Sequence, residues 1–241
     1  MSRGRWAIAG LLIIIGLAAL ALSPGVRSRA YGVLTRLRGR LTVEQRLAQL
    51  DPAVREKLVM LCNEVGITYP PTRVVLLGLK QERRVEVYAE RPDGQMKLLM
   101  QHPVLGASGA IGPKLREGDR QVPEGVYRVV NLNPNSRYHL SVELDYPNEF
   151  DRRVAAEEAR DRLGGDIFIH GGSASVGCLA IGDPAIEEIF ALVADSGVGA
   201  VEVLLAPVDL RRHPVPDGLG GGWRDELYDL LGRRLDELPG T

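Results

Sequence analysis

The chain has 241 residues, 45% of them hydrophobic and 25% charged, with 28 glycines, 15 prolines, four histidines and two cysteines. That composition excludes wholesale disorder, and two cysteines exclude both a disulfide framework and a four-thiolate zinc site. The net charge of −1 hides a division, because residues 1–40 carry seven arginines and no acid, which leaves the remainder acidic by eight charges.

The first predicted element is the uncharged run from Ala7 to Leu22, preceded by Arg3, Arg5 and Trp6. As a helix it measures about 24 Å at roughly 1.5 Å per residue. That is short for a bilayer core of about 30 Å but suits the apolar centre of a signal peptide. Ala19-Leu20-Ala21 offers a small-x-small cleavage site, and Ser23-Pro24-Gly25 breaks the helix. Residues 1–25 therefore read as a signal peptide or as a retained N-terminal membrane anchor. Residues 26–69 read as a basic juxtamembrane segment (Arg27, Arg29, Arg36, Arg38, Arg40) followed by a helical linker. Charge counting alone leans toward keeping the side with these arginines cytoplasmic, unless the stretch rests on anionic lipid.

Val43, Leu47 and Leu50, continued by Val54, Leu58 and Leu61, predict a helix over 42–65, split at Asp51-Pro52 and stopped by Gly66. Cys62 falls on its apolar side and reads as packing. After Tyr69-Pro70-Pro71 the texture changes to short strands over 73–79, 84–89, 96–105, 125–132 and 138–144, punctuated by Pro92-Asp93-Gly94 and Asn133-Pro134-Asn135. A polar helix over 151–163 follows, then a strand over 166–170. A helix capped by Asp183 with Pro184 in its first turn runs to 194. A strand over 200–206 and an amphipathic helix over 223–238 complete the chain. The predicted class is a β-rich α+β domain with flanking helices, spanning 70–208, with a C-terminal tail and helix over 209–241.

The densest chemistry lies between Ile167 and Asp183. An apolar strand delivers His170 into a loop of small residues that ends at Gly177-Cys178. A thiol needs a base, or a positive environment, to react as thiolate near neutral pH, and His170 can supply the base. Gly177 permits close backbone approach, and the N–H groups around Cys178 can stabilise a tetrahedral oxyanion. His139, on an alternating stretch, is a second site candidate, whereas His102 and His213, each before a proline, read as loop residues. Asp119, Glu124, Glu143 and Asp145 read as solvated carboxylates. Gly106, Gly109 and Gly112 lack the spacing and strand–helix context of a dinucleotide fingerprint. No phosphate loop or zinc signature is present, so neither metal nor cofactor is expected. The arginine stretch lacks interleaved aromatics beyond Tyr31, so no nucleic-acid partner is expected either.

Ile169-His170-Gly171 followed by Ser175-x-Gly177-Cys178 resembles the active-site signature of the YkuD-type L,D-transpeptidase catalytic domain. Gly112-Pro113-Lys114-x-Arg116-Glu117-Gly118-Asp119-x-Gln121-x-Pro123-Glu124-Gly125-x-Tyr127 is similar to that family's upstream turn and strand. Asn133 to Leu140 and Tyr146-Pro147-Asn148 resemble its YafK-like branch. The resemblance implies an envelope-facing cysteine enzyme acting on peptidoglycan stem peptides. Cys178 would be the nucleophile and His170 its base, oriented through Gly171, with the Gly177 and Cys178 N–H groups in the oxyanion hole. It implies a thioester passed to an amine, or to water in a carboxypeptidase or amidase variant that could release an envelope protein from peptidoglycan. A non-catalytic peptidoglycan-binding module is the remaining alternative. It also places the body in the periplasm or cell envelope, secreted or anchored, against the charge count. Two positions depart from the family: Val176 stands where a polar residue is usual before Gly-Cys, and Ala180 where an arginine usually follows the cysteine. Arg116, Arg137, Tyr138, His139 and Ser175 are the candidates to contact substrate in its place.

Overall fold

The computed structural model describes residues 39–240. The apolar run and most of the arginine stretch, on which the signal, anchor and lipid expectations rest, lie outside the described residues. Among the described residues no helix is long and apolar enough to cross a membrane.

The domain begins with α1 (Val43–Leu47) and α2 (Pro52–Glu64). They are separate because Asp51 accepts a hydrogen bond from the Ala53 N–H and Pro52 occupies the first turn of α2, where its missing N–H costs nothing. The strands are β1 (Val74–Leu79), β2 (Arg84–Glu90), β3 (Met96–Pro103), β4 (Gly125–Asn133), β5 (Ser141–Leu144), β6 (Phe168–His170), β7 (Leu179–Ala180) and β8 (Val201–Ala206). Helix α3 (Glu149–Glu157) follows β5, α4 (Asp183–Ser196) follows β7, and α5 (Trp223–Leu235) closes the chain. The strands form one mixed sheet in the order β3-β2-β1-β8-β4-β5-β6-β7. Pairing is antiparallel except for β1 with β8 and β6 with β7.

Period-two alternation explains how both sheet faces are covered. Val74 and Leu76 of β1 join a core with Leu58 and Cys62 of α2 and Ile186, Ile189 and Phe190 of α4. Their neighbours Val75, Leu77 and Leu79 join a second core with Leu227, Tyr228, Leu231 and Leu235 of α5. Strand β1 is therefore buried along its whole length. Each fully buried aliphatic side chain there contributes roughly 1.5–3 kcal/mol.

Four expectations are corrected. His102 lies inside β3, paired with Val85, rather than in a loop; β3 is an edge strand, where the following Pro103 forfeits no ladder bond. The expected strand over 138–144 is confined to Ser141–Leu144, because His139 takes a left-handed φ of 73°. The helix expected over 151–163 starts earlier and stops at Glu157, since Asn148 and Asp151 cap each other's backbone N–H groups in a capping box. Glu124 is not solvated but 1% exposed.

A buried ionic cluster fastens the chain after β8 to the sheet. Arg211 bonds Glu86 at 2.9 Å and Asp209 at 2.7 Å, and donates to the Pro239 carbonyl. Burial opposes ionisation of Glu86, yet hydrogen bonds from Tyr88 and Arg211 overcome it and hold the carboxyl below its ordinary range. Its stabilisation is thus present at neutral pH and lost as acid carries the pH through and below the ordinary carboxylate range. Arg211→Met removes the cation shared by two buried carboxylates, leaving Glu86 with Arg84 and Tyr88 and Asp209 with Arg212, and is expected to cost about 3 kcal/mol, measured as a lower denaturant midpoint at pH 7.

Candidate active site

Strand β6 carries His170 into the loop 171–177, and β7 resumes directly after Cys178. In the parallel β6–β7 pair Ile169 lies against Leu179 and His170 against Ala180. Cys178 precedes that pair by one residue, so strand alternation puts its side chain on the same side as His170. Seven residues suffice for this parallel connection because β6 and β7 are only three and two residues long, so the chain has little distance to retrace.

His170 is almost wholly buried. Its Nδ1 lies 2.7 Å from the Gly171 carbonyl. A carbonyl can only accept, so Nδ1 carries the proton and the neutral ring keeps a basic lone pair on Nε2. The Tyr138 ring stacks on the imidazole with centroids 4.5 Å apart. Burial lowers the His170 pKa, against the raising effect of the Gly171 bond. Gly171 has no room for a side chain, since a Cβ would lie 2.6 Å from both Asp183 Oδ1 and the Tyr138 carbonyl. Asp183 does not cap its own helix; Gly182 is the cap residue, and the Asp183 carboxylate accepts the Gly172 N–H at 2.8 Å instead.

Cys178 Sγ donates weakly to the Asp166 carbonyl at 3.6 Å. Burial raises its pKa; a hydrogen bond from the Phe168 backbone and the charge of Lys114 pull the other way, while Asp166 adds to the rise. Burial thus disfavours the charged form of both the thiol and the imidazole.

The two N–H groups expected to bind an oxyanion already have partners. Gly177 N–H donates to Ser108 Oγ at 2.7 Å, and Cys178 N–H donates to Ser175 Oγ at 3.0 Å. The Ser175 hydroxyl in turn donates to the Cys178 carbonyl at 2.6 Å. Gly177 has φ +86°, a conformation that favours glycine. Ser175 and Tyr138 are thus at the centre. Arg116 and Arg137 are exposed on surrounding loops. Arg116 lines a groove of ≈ 680 Å³ with Pro113, Asp119, Gln121, Arg160 and Arg162. The Gln121 carbonyl lies 3.6 Å from where a Gly177 Cβ would stand, so that wall abuts the loop 171–177. His139 is drawn elsewhere: Arg46 donates to its Nδ1 at 3.1 Å, and its Nε2 donates to Glu187 at 2.6 Å. It ties α1 to α4.

The two departures from the family pattern have different structural settings. Val176 is 70% exposed. Ala180 is 0% exposed, exchanging backbone hydrogen bonds with Gly106. Ser108 and Gln121 were missed from sequence; the only signal for Ser108 was its place in the glycine-rich stretch before β4. Among the described residues no cluster of His, Cys, Asp and Glu could hold a metal ion.

A family profile described as the L,D-transpeptidase catalytic domain, YkuD, matches residues 80–209. YafK of Escherichia coli K12 is 34% identical over 144 residues, covering 56% of each chain, and YafK of E. coli O157:H7 matches to the same extent. The chain spans about half the length of these curated relatives. Among solved structures, the helical cell shape determining protein Pgp2 from Campylobacter jejuni has a TM-score of 0.48 at 21% identity, covering 72% of this chain and 60% of that one. Bd1075 of Bdellovibrio bacteriovorus has a TM-score of 0.42 at 21% identity, covering 70% and 58%.

Proposed function

Because the chain belongs to the YkuD family of L,D-transpeptidase catalytic domains, we propose that it is a cysteine acyltransferase acting on peptidoglycan stem peptides in the cell envelope, delivered there by residues 1–25. The observation that carries this reading is the placement of Cys178 and His170 on one side of the β6–β7 pair, with the imidazole tautomer fixed by the Gly171 carbonyl.

In the proposed reaction His170 Nε2 takes the thiol proton as Sγ attacks the carbonyl of the L,D bond at diaminopimelate. The oxyanion replaces the Ser108 and Ser175 hydroxyl oxygens as acceptor of the Gly177 and Cys178 N–H groups. A charged oxygen accepts more strongly than a hydroxyl, so this exchange favours the transition state over the resting enzyme. Collapse breaks the peptide C–N bond, and the departing D-amino acid nitrogen takes the proton from His170. An acceptor amine then attacks the thioester, gives its proton to His170, and leaves Cys178 as the thiol. The groove beside Gln121, with Arg116 on its wall, takes a substrate carboxylate in place of the arginine that the family pattern has at the position of Ala180.

Incubation with muropeptides, with and without an added D-amino acid, separates the readings by mass spectrometry. Exchange products that depend on Cys178 are expected. Shortened or released peptides alone would instead establish hydrolysis with water as acceptor. Binding with neither products nor a Cys178 acyl adduct would leave the protein a peptidoglycan-binding module.

A further inference from the structure

We propose that the C-terminal helix α5, which lies beyond the matched domain, positions the nucleophile loop, acting from Tyr228 through the buried Lys80–Glu124 pair and the loop 104–124. The proposal rests on reading Cys178 as the nucleophile only for its catalytic consequence, not for the linkage itself.

Loop 104–124 has no helix or strand, apart from an isolated bridge at Gly106. A stretch of that length keeps one shape only if side chains fix it. Its inner end is held by one ion pair. Lys80 Nζ lies 2.9 Å from Glu124 Oε1, with side chains 6% and 0% exposed. The same ammonium donates to the Gly112 and Val122 carbonyls at 2.8 and 2.9 Å. Glu124 Oε1 accepts the Gly112 N–H at 2.6 Å. Its other oxygen, Oε2, accepts from the Tyr228 hydroxyl of α5 at 2.8 Å.

The outer end of the loop grips the site. Gln121 bonds the backbone of Ala110 and the Gly112 carbonyl, folding the loop back on itself. The Ser108 hydroxyl donates to the Arg120 carbonyl at 2.6 Å, which turns its lone pair to the Gly177 N–H. A continuous path therefore runs by hydrogen bonds from Tyr228 to Glu124, Gly112 and Gln121, across the peptide bond to Arg120, and by hydrogen bonds again through Ser108 to Gly177, the residue before Cys178. Removing the Tyr228 hydroxyl leaves one oxygen of a fully buried carboxylate without its donor, which a buried ion tolerates poorly. Glu124 then turns to find another partner, and Gly112 and the loop move with it.

The test uses the whole chain and does not depend on turnover. Alkylation of Cys178 by iodoacetamide is followed by peptide mass spectrometry under native conditions, with buried Cys62 as the internal reference. Tyr228→Phe is expected to speed Cys178 alkylation by about threefold to tenfold, the population shift that loss of one buried hydrogen bond brings. Ser108→Ala should do the same, and the double variant should exceed neither, because both release one linkage. Leu231→Val, on the same helix but with no bond to Glu124, should lower the melting temperature without changing the alkylation rate. An unchanged rate in Tyr228→Phe, an equal increase in Leu231→Val, or additive effects in the double variant would each overturn the proposal. Absence of muropeptide turnover would count against the enzymatic reading while leaving this result standing.

Discussion

Cys178→Ala is expected to lose acyl transfer on muropeptides by about 10³-fold or more, the scale seen when a covalent nucleophile is removed. Its melting temperature should stay within a few degrees of the parent's. The thiol makes a single weak hydrogen bond, 3.6 Å to the Asp166 carbonyl, so little native structure depends on it. The loop around it is shaped by other groups: the Ser175 hydroxyl, the Ser108 hydroxyl and the β6–β7 pairing, none of which the substitution touches. Cys178→Ser should be nearly as inactive, because a hydroxyl in this half-buried place is far harder to ionise than a thiol. Intact-mass analysis after exposure to substrate should show an acyl adduct on the parent and none on either variant. Substantial turnover by Cys178→Ala would sink the proposed mechanism.

His170→Gln is expected to lower turnover by about 10²- to 10⁴-fold, the usual contribution of a positioned general base. The pH profile carries the sharper information. Burial places the His170 pKa below its ordinary value of 6.5. The imidazole therefore stays an unprotonated base through neutral pH, and kcat/KM should fall only as the pH drops below that value. Burial also raises the Cys178 thiol above its ordinary value of 9.0. In His170→Gln the acid limb should vanish, and residual activity should climb with pH as the thiol ionises unaided. A parent profile with an acid limb well above 6.5 would contradict this reading of the imidazole.

Most of the strands, and the loop that links β6 to β7, were legible because their signals are local. The passage from the apolar run Ile167–Ile169 into small residues marks a strand and a loop without reference to the rest of the chain, and alternation in Arg84–Tyr88 marks a strand, though not its setting: the pattern of a half-exposed strand belongs to one buried on both faces, Glu86 included. What escaped was every property that depends on a distant partner. Glu124 looked solvated because a carboxylate normally is; its burial depends on Lys80 and on Tyr228. Ser108 holds Gly177 across a separation with no local signature. Strand β7 is two residues long and exists only because β6 and Gly106 pair with it. His139 sits in an alternating pattern, yet one left-handed residue turns it out of the ladder and toward Glu187. The departure from the family pattern at Ala180 falls on a fully buried residue of β7.

The parallel pairing of β1 with β8 also governs how the domain assembles. Val74 lies against Val201, with nearly the whole domain between them in sequence. A parallel contact of that span has to close a very long loop before it gains anything, and such topologies fold slowly, on the order of milliseconds to seconds. While a growing chain still lacks β8, the sheet is split into the meander β3-β2-β1 and the group β4-β5-β6-β7, and both β1 and β4 lack the neighbour that joins them. Joining the two halves of the sheet is thus deferred until residues 201–206 are available, so a chain cut short before β8 cannot complete the sheet on which both cores are built.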